Sequence, residues 1–249
     1  MPVAQRVEGI VLKSESHGES NRVLWILSKD LGVIQVLARG ASKSKKRFSG
    51  RLETFTSGEF WCLASKRGRP TLTSVDVVVD RFSLSRSIDA YFVAVCIADW
   101  VLRWQISSDD ARTMFHVVSV ALDGLLRGMS PLVCLSWLEL NLLKIAGSFP
   151  STESCALCDE GLQGRPCAVC PLSGCFVHSH HGGPVIPMFE ECRRILAYLE
   201  TVDSAGLCRL RLFDGQALRI LGVLETLFLV HVGFVPRSRS LALARFAGR

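Results

Sequence analysis

Cysteine pairs are the clearest chemical pattern in this sequence. Cys155 and Cys158 are separated by two residues, and the same spacing recurs at Cys167 and Cys170. A Cys-x-x-Cys turn directs two thiolates toward one point, and two such turns complete a tetrahedral zinc site. The pattern predicts a structural zinc ion held by these four cysteines, with no open position for catalysis. The neighbouring polar residues are alternative ligands: Cys175, His178, His180 and His181.

The alternative to a zinc site is a set of reduced thiols without metal, since the hairpin between the two pairs is short. The chain starts without the apolar run and cleavage site of a secretory signal. We therefore expect a cytoplasmic protein whose ten cysteines stay reduced, and this favours metal binding over a disulfide framework.

A cluster of positive charge lies between residues 39 and 51, which contain six Lys or Arg and no acidic residue. Gly and Ser in this segment allow the backbone to follow a phosphate chain, and counterion release would then drive binding. A solvated loop that binds nothing is the alternative. Phe48, Phe60 and Trp61 are candidate stacking surfaces for bases. The candidate DNA-binding residues are Arg39, Lys43, Lys45, Lys46, Arg47 and Arg51.

The overall charge supports the same region. The first 80 residues hold 13 Lys and Arg against 8 Asp and Glu, and the remainder holds 16 against 15. Almost all of the net charge of +6 thus lies in the first third of the chain, where an anionic partner is expected. No phosphate-binding loop, nucleophile elbow or cofactor motif indicates an enzyme.

One formal match to an enzyme motif involves His17 and Glu19 with Cys167 and Cys170. In zinc deaminases of nucleobases, a His and two Cys share one zinc ion while a Glu moves protons. Here His17 lies in a polar turn, and a predicted barrel and three helices separate it from the cysteines. We interpret the match as coincidence, and ammonia release that is lost in Glu19→Gln would reverse this interpretation.

The basic segment lies among five short apolar runs that are separated by turns. Their spacing, with a long polar loop between the third and the fourth, predicts a small closed barrel within residues 1–80. The predicted strands are Arg6–Leu12, Asn21–Leu27, Gly32–Leu37, Thr54–Cys62 and Thr71–Val79.

Helical periodicity begins after the barrel and defines the rest of the predicted architecture. Helices are predicted at Ile88–Leu102, from Asp109 or Asp110 to Leu126, and from Ser130 to Ile145, and again at Met188–Leu199 and Gln216–Val232. We expect a helical domain in two parts, 81–150 and 188–249, with a cysteine-rich knuckle inserted at 151–187. The fold class is therefore α+β and multi-domain. The apolar stretch at 218–235 is interrupted by charged residues, so no membrane span is expected.

Several segments together resemble the RecO family of recombination mediators. They begin with Val7-Glu-Gly-Ile-Val-Leu-Lys13 and Gly32-Val-Ile-Gln-Val-Leu-Ala-Arg-Gly40, continue through the basic segment, and end with Gly233-Phe-Val-Pro-Arg-Ser-Arg239. The resemblance covers most of the chain, and the motifs occur in the family's order.

The resemblance implies an oligonucleotide-binding (OB) barrel, a helical domain and, in many members, a zinc finger. It implies binding of single- and double-stranded DNA, annealing of complementary strands and, with RecR, loading of RecA onto DNA coated by single-strand-binding protein. The basic residues from Arg39 to Arg51 match the family's DNA-binding loop. One departure concerns zinc: members usually place the second Cys-x-x-Cys after a Gly-Gly pair, whereas here Cys167 and Cys170 precede Gly182-Gly183.

Overall fold

The structure is a computed structural model that describes residues 4–41, 48, 52–65, 68–104, 107–181 and 183–247. The chain divides into two compact units, Met1–Leu126 and Arg127–Arg249. The predicted domain boundary at residue 80 lies inside the first unit, because the two helices that follow the barrel pack against its strands.

The first unit is built on a closed five-stranded barrel in the order β1-β2-β3-β5-β4. Its strands are β1 Ala4–His17, β2 Asn21–Ser28, β3 Gly32–Ala38, β4 Ser57–Leu63 and β5 Thr71–Val79. Strand β1 pairs antiparallel with both β2 and β4, and an irregularity between Val11 and Lys13 lets its 14 residues bend around the barrel. Strands β3 and β5 meet in parallel and close the barrel. This topology is the OB fold, as predicted.

Alternating apolar residues along the strands fill the barrel. Phe60, which is 0% exposed, packs there with Val11 and Leu24 among others. Phe48 is also buried in this cluster at 2% exposure. Gly58 is required on β4, because a Cβ at this position would lie 2.4 Å from the backbone oxygen of Asp76 on β5.

Two helices complete the first unit, α1 at Ile88–Arg103 and α2 at Ala111–Leu126. A short 3₁₀ helix at Phe82–Arg86 leads into α1, and the Ser87 hydroxyl accepts a hydrogen bond from the Ala90 amide at the start of α1. The guanidinium of Arg81, only 1% exposed, binds both Asp123 on α2 and the carbonyl oxygen of Phe55. Arg81 thereby fixes α2 beside the segment that precedes β4.

The second unit places a small sheet among helices. Its helices are α3 Pro131–Ile145, α4 Glu190–Thr201, α5 Ser204–Arg209, α6 Asp214–His231 and α7 Arg237–Ala244. The sheet has the order β7-β6-β8, with β6 at Cys167–Cys170, β7 at Cys175–His178 and β8 at Ile186–Met188. Among the described helices, none is both long and apolar enough to cross a membrane.

A buried ion pair connects the helices of the second unit. Arg239 on α7 is 2% exposed and Glu139 on α3 is 0% exposed. The guanidinium donates to both carboxylate oxygens of Glu139, at 2.7 and 3.1 Å, and to Glu225 on α6 at 2.7 Å. The mixed architecture of a barrel followed by helices confirms the predicted fold class, whereas β6, β7, β8, α5 and α7 were not predicted as elements.

Candidate metal centre and nucleic-acid surface

The first half of the candidate metal centre is the loop that holds Cys155 and Cys158. The amide of Asp159 donates to the carbonyl oxygen of Cys155 at 2.9 Å and closes a turn, in which Asp159 adopts a positive φ of 59°. The amide of Leu157 lies 3.5 Å from the Cys155 sulfur. The turn thus brings both sulfurs to one side, as the Cys-x-x-Cys spacing predicts.

Two histidines supply the second half of the centre. His178 ends β7 and is 1% exposed, and His181 follows it after a short turn. The Cys158 sulfur lies 3.5 Å from Nδ1 of His178 and 3.3 Å from Nε2 of His181. One ligand atom from each residue lies within 4.8 Å of all the others in the group Cys155, Cys158, His178 and His181.

This donor set fits a zinc ion. Zinc bonds of about 2.3 Å to sulfur and about 2.0–2.1 Å to nitrogen, at tetrahedral angles, place ligand atoms roughly 3.3–3.8 Å apart. The two sulfur–nitrogen distances already lie at this spacing. The second nitrogen of His178, Nε2, lies 3.1 Å from the carbonyl oxygen of Gly161, and such a contact fixes the ring with Nδ1 toward the metal.

The two thiols of the centre differ in acidity. Burial opposes ionisation of Cys155, but hydrogen bonds from the backbone at Leu157, His178 and Cys158 lower its pKa to about 7. A backbone hydrogen bond at Glu160 favours ionisation of Cys158, yet burial and the neighbouring Cys155 raise the pKa of Cys158 above its ordinary value. One of the two sulfurs is therefore prepared as a thiolate at neutral pH, which is the form that binds metal.

Cys167 and Cys170, two of the four predicted ligands, do not join this group. They lie on strand β6 rather than in a turn, and residues three apart on a strand point to opposite faces. The Cys167 sulfur is 3.7 Å from the carbonyl oxygen of Met188 on β8, and burial raises the pKa of this thiol. Cys170 is half-buried opposite Cys175 on β7.

The histidines were visible in the sequence as alternatives. His178 and His181 have the two-residue spacing of a ligand pair, and both belong to the group that could hold a metal. The ring of His180 stacks on His178 at a centroid distance of 5.2 Å, but His180 is not part of the group. The strand that contains Cys167-Ala-Val-Cys170 is only four residues long. So short a strand gives too few alternating positions for the sequence to distinguish it from a turn.

The predicted DNA-binding residues lie mostly outside the described residues. Arg39, exposed just after β3, is described, whereas Lys43, Lys45, Lys46, Arg47 and Arg51 are not. Of the aromatic residues proposed for stacking, Phe48 and Phe60 are buried in the barrel core and Trp61 is half-exposed.

The outer surface of the barrel also has a cation beside an aromatic ring that the sequence did not single out. The ammonium of Lys13 on β1 lies 5.0 Å from the ring centre of Trp25, its partner on β2. Lys13 and Trp25 are twelve residues apart in the sequence, and the β1–β2 register brings their side chains together.

Comparison with known families assigns both parts of this architecture. Residues 1–80, which contain the barrel, match the family described as Recombination protein O N terminal. Residues 85–240, which contain helices α1 to α6 and the candidate metal centre, match Recombination protein O C terminal. The chain belongs to the Recombination protein O (RecO) family. The expected resemblance is therefore confirmed over nearly the whole sequence.

Curated relatives agree with this assignment. A protein from Dehalococcoides mccartyi (strain CBDB1) is 27% identical over 242 residues, which cover 96% of this chain and 93% of that protein. One from Bacillus cytotoxicus is 25% identical over 238 residues, covering 94% and 95%. One from Exiguobacterium is 28% identical over 195 residues, covering 78% and 77%. All three are named DNA repair protein RecO, and this chain is a DNA repair protein of the RecO family.

The residues of the formal zinc-deaminase match are divided between the two units of this RecO-family chain. His17 ends β1, and Glu19 lies in the turn that follows, both in the first unit, whereas Cys167 and Cys170 belong to the second. Within the part of the chain that the structure describes, the group able to share a metal contains none of these residues. The metal centre instead uses the Cys155 turn and the end of β7.

Proposed function

We propose that this chain is a DNA-binding recombination mediator that works by holding strands rather than by catalysing a reaction. It binds single- and double-stranded DNA and anneals complementary strands. With RecR it assists the loading of RecA onto DNA coated by single-strand-binding protein, in the cytoplasm at the nucleoid. The observation that carries the proposal is the closed OB barrel in a RecO-family chain whose basic segment joins β3 to β4.

Electrostatics explain why the barrel is the DNA-binding part. Its 80 residues contain 13 Lys and Arg against 8 Asp and Glu. The segment between β3 and β4 is attached to the barrel at both sides, because Ala41 packs against the core cluster while Phe48 and Leu52 are buried in it. Cations presented from a fixed base can neutralise phosphates along a strand and release counterions. Two strands bound in this way meet at high local concentration, so annealing needs no nucleotide hydrolysis.

The proposed role of zinc is structural. Cys155, Cys158, His178 and His181 would hold the ion, and a bound ion supplies four coordinate bonds to a segment of little apolar content. The four protein ligands leave no open position for a reacting water or substrate. The ion would therefore join the turn at Cys155 to the end of β7 without taking part in a reaction.

The first test is fluorescence anisotropy of labelled single-stranded DNA, titrated with the full chain at several salt concentrations. We expect affinity that falls steeply as salt rises and that is independent of base sequence. A strand-annealing assay with complementary oligonucleotides follows directly. Failure to bind DNA even at low salt would overturn the proposal.

A triple variant tests the basic segment itself. Replacing Lys45, Lys46 and Arg47 with Ala should weaken binding on all sequences alike and reduce the slope of log affinity against log salt by about 2, because each contact to single-stranded DNA contributes about 0.7. The matched control removes three exposed cations from elsewhere in the first unit: Arg86, Arg103 and Arg112. An equal loss in both variants would show that only net charge matters and would remove the segment from the proposal.

A second candidate function is a protein-interaction module without DNA binding. Helix α1 carries four apolar residues at helical spacing, each more than a third exposed: Ile88, Tyr91, Phe92 and Val95. Such a stripe is typical of a helix that meets a partner. The anisotropy experiment separates the two functions, because this candidate predicts no salt-dependent affinity for DNA.

A further inference from the structure

A second pair of thiols lies at the tip of the β6–β7 hairpin, apart from the metal centre. Cys170 ends β6 and Cys175 begins β7, and the two residues are direct partners in the antiparallel register. Directly opposed residues of an antiparallel pair project to the same face of a sheet. The register therefore places both side chains on the same face of the hairpin, and neither belongs to the Cys155, Cys158, His178 and His181 group.

The register satisfies the geometry of a disulfide. Opposed residues in antiparallel strands have Cα atoms about 4.5 or 5.5 Å apart, depending on the hydrogen-bonding of the pair, and disulfides need about 4.4–6.8 Å. The four-residue connection from Pro171 to Gly174 already closes the tip, since the Gly174 amide donates to the carbonyl oxygen of Cys170 at 2.8 Å. A bond between the sulfurs thus needs only side-chain rotation.

The two thiols differ in their surroundings at Ser173. The Cys175 sulfur lies 3.5 Å from the carbonyl oxygen of Ser173 and acts as a donor. The Cys170 sulfur accepts hydrogen bonds from the Ser173 hydroxyl and from the backbone at Ser173 and Leu172, which lower the pKa of this thiol. Both cysteines are half-buried and within reach of a small reagent. Cys170 has the features of an attacking sulfur and Cys175 those of a resolving one.

We propose that Cys170 and Cys175 form a reversible dithiol–disulfide site that exchanges with low-molecular-weight disulfides of the glutathione class. The Cys170 thiolate attacks one sulfur of the small disulfide, forms a mixed disulfide and releases one small thiolate. Cys175 then loses its proton and attacks the Cys170 sulfur, which forms the protein disulfide and releases the second small thiol. The protein loses two electrons and two protons, and the small disulfide gains them.

The tip of the β6–β7 hairpin contacts helix α6, and this contact holds the tip in place. Nε2 of His231, at the end of α6, lies 3.0 Å from the carbonyl oxygen of Gly174. Gly174 has a φ of 63°, and a Cβ there would lie 2.3 Å from the same nitrogen. The tip therefore keeps its position beside α6 when the thiols react. Because the closed loop is only a few residues long, the disulfide should stabilise the unit less than one that closes a long loop.

The test equilibrates the full, zinc-supplied chain with mixtures of reduced and oxidised glutathione. The remaining thiols are then alkylated in acid and the peptides are mapped by mass spectrometry. We expect a Cys170–Cys175 disulfide that appears and disappears with the glutathione ratio while the other cysteines stay alkylated. Cys175→Ser should accumulate glutathione on Cys170. Cys170→Ser should react more slowly than the native chain, because it removes the sulfur whose pKa the hydrogen bonds at Ser173 and Leu172 lower.

Cys208→Ser is the matched control, since this half-buried thiol lies outside the hairpin, and it should leave the exchange unchanged. Zinc content per chain should be equal in all the variants, which separates this site from the metal centre. Three results would overturn the proposal. The pair stays fully alkylated under every glutathione mixture, another pair oxidises first, or added zinc protects Cys170 and Cys175 from reaction.

Discussion

The barrel and the cysteine-rich knuckle (residues 151–187, with β8 ending one residue beyond) are both small sheets, but different interactions hold them together. The barrel has strands of 7 to 14 residues, closes on itself and buries a continuous apolar cluster. The knuckle has strands of 3 or 4 residues in an open sheet of three. A sheet that small buries too little apolar surface to be stable alone. The apolar cluster closes the barrel, whereas a zinc ion at the candidate centre and contacts with neighbouring helices would stabilise the knuckle.

The position of the metal centre explains how it would compensate for the short strands. Cys155 and Cys158 precede β6, His178 ends β7 and His181 follows it, so the four candidate ligands would join the two ends of the hairpin segment. The amide of Ala156 already donates to the carbonyl oxygen of Phe176 at 3.0 Å. A zinc ion would hold the two ends of the hairpin segment together. In the barrel, the pairing of β1 with β4 joins distant strands without an ion.

The largest effect should come from breaking the metal centre. Cys158→Ser removes a ligand, so we expect zinc affinity to fall by more than the roughly 10–100-fold that loss of an outer-shell partner causes. Hydrogen exchange should then accelerate in β6 and β7 and remain slow in β1, β2 and β4. Chelation of zinc from the native chain should give the same pattern, because metal binding in small sites is coupled to folding.

His180→Ala is the control for that experiment. Its ring lies against His178 and His181, at centroid distances of 5.2 and 4.5 Å, but it is outside the ligand group. Zinc affinity close to that of the native chain is expected. If His180→Ala lost as much affinity as Cys158→Ser, the ligand set would be wrong.

The barrel should respond instead to loss of apolar packing. Phe60→Ala removes a ring that is 0% exposed in the core cluster, and we expect the free energy of unfolding to fall by about 3–5 kcal/mol. Urea unfolding measures this cost, which should be the same with zinc and with a chelator. Val78→Ala, at a side chain that is 71% exposed, should change stability by less than about 0.5 kcal/mol. A zinc-dependent cost of Phe60→Ala would contradict the independence of the two regions.

A smaller effect is expected at the contact between the knuckle and α4. Arg193, which is 6% exposed, donates to the carbonyl oxygen of Thr152 at 3.1 Å and to Glu190 at 2.8 Å. Arg193→Met keeps an unbranched apolar stem and loses these bonds, so the free energy of unfolding of the second unit should fall by about 1.5–3 kcal/mol. The exposed neighbour Arg194 provides the control, and equal losses from Arg193→Met and Arg194→Met would mean that the buried contacts contribute nothing.

The sequence was more informative about the barrel than about the knuckle, for the same physical reason. Each barrel strand is long enough to show alternation, and the predicted Thr71–Val79 and Asn21–Leu27 agree with the structure to within one residue. The start of β4 was placed three residues early, because Thr54, Phe55 and Thr56 are residue types that favour strands, although Phe55 has a φ of 73° that no strand adopts.

In the knuckle, the sequence identified the candidate metal ligands by residue type, but it did not determine which of them lie close together. The Cys155 turn was predicted correctly, because two thiols two residues apart need only a local turn to meet. The pairing of that turn with His178 depends on the β6–β7 register, which no local pattern in four-residue strands determines. Likewise, α5 has six residues and α7 has eight, and helices so short depend on tertiary contacts such as the Arg239–Glu139 ion pair.

The smallest predicted effect is a difference in how the two regions respond to pH. Burial alone raises the pKa of Cys62, in the barrel core, to about 11, so this thiol stays protonated at every neutral pH. Cys155 is also buried, but hydrogen bonds in its turn lower its pKa to about 7. A lowered pKa in the folded state contributes stability above the ordinary thiol pKa, and this contribution is lost as the pH falls through about 7.

Zinc binding should show this difference as a change in proton release. At about pH 8 Cys155 is already a thiolate, so among the cysteines only Cys158 must lose a proton, whereas at about pH 6 both must. Isothermal calorimetry in buffers of different ionisation enthalpy counts the released protons, and the contribution of the cysteines should rise by about one as the pH falls. Cys155→Ser should reduce the total rise by about one proton, and Cys62→Ser should leave it unchanged. A count that is the same at both pH values would mean that the turn does not hold Cys155 as a thiolate, and the knuckle would then resemble the barrel in keeping its buried thiols neutral.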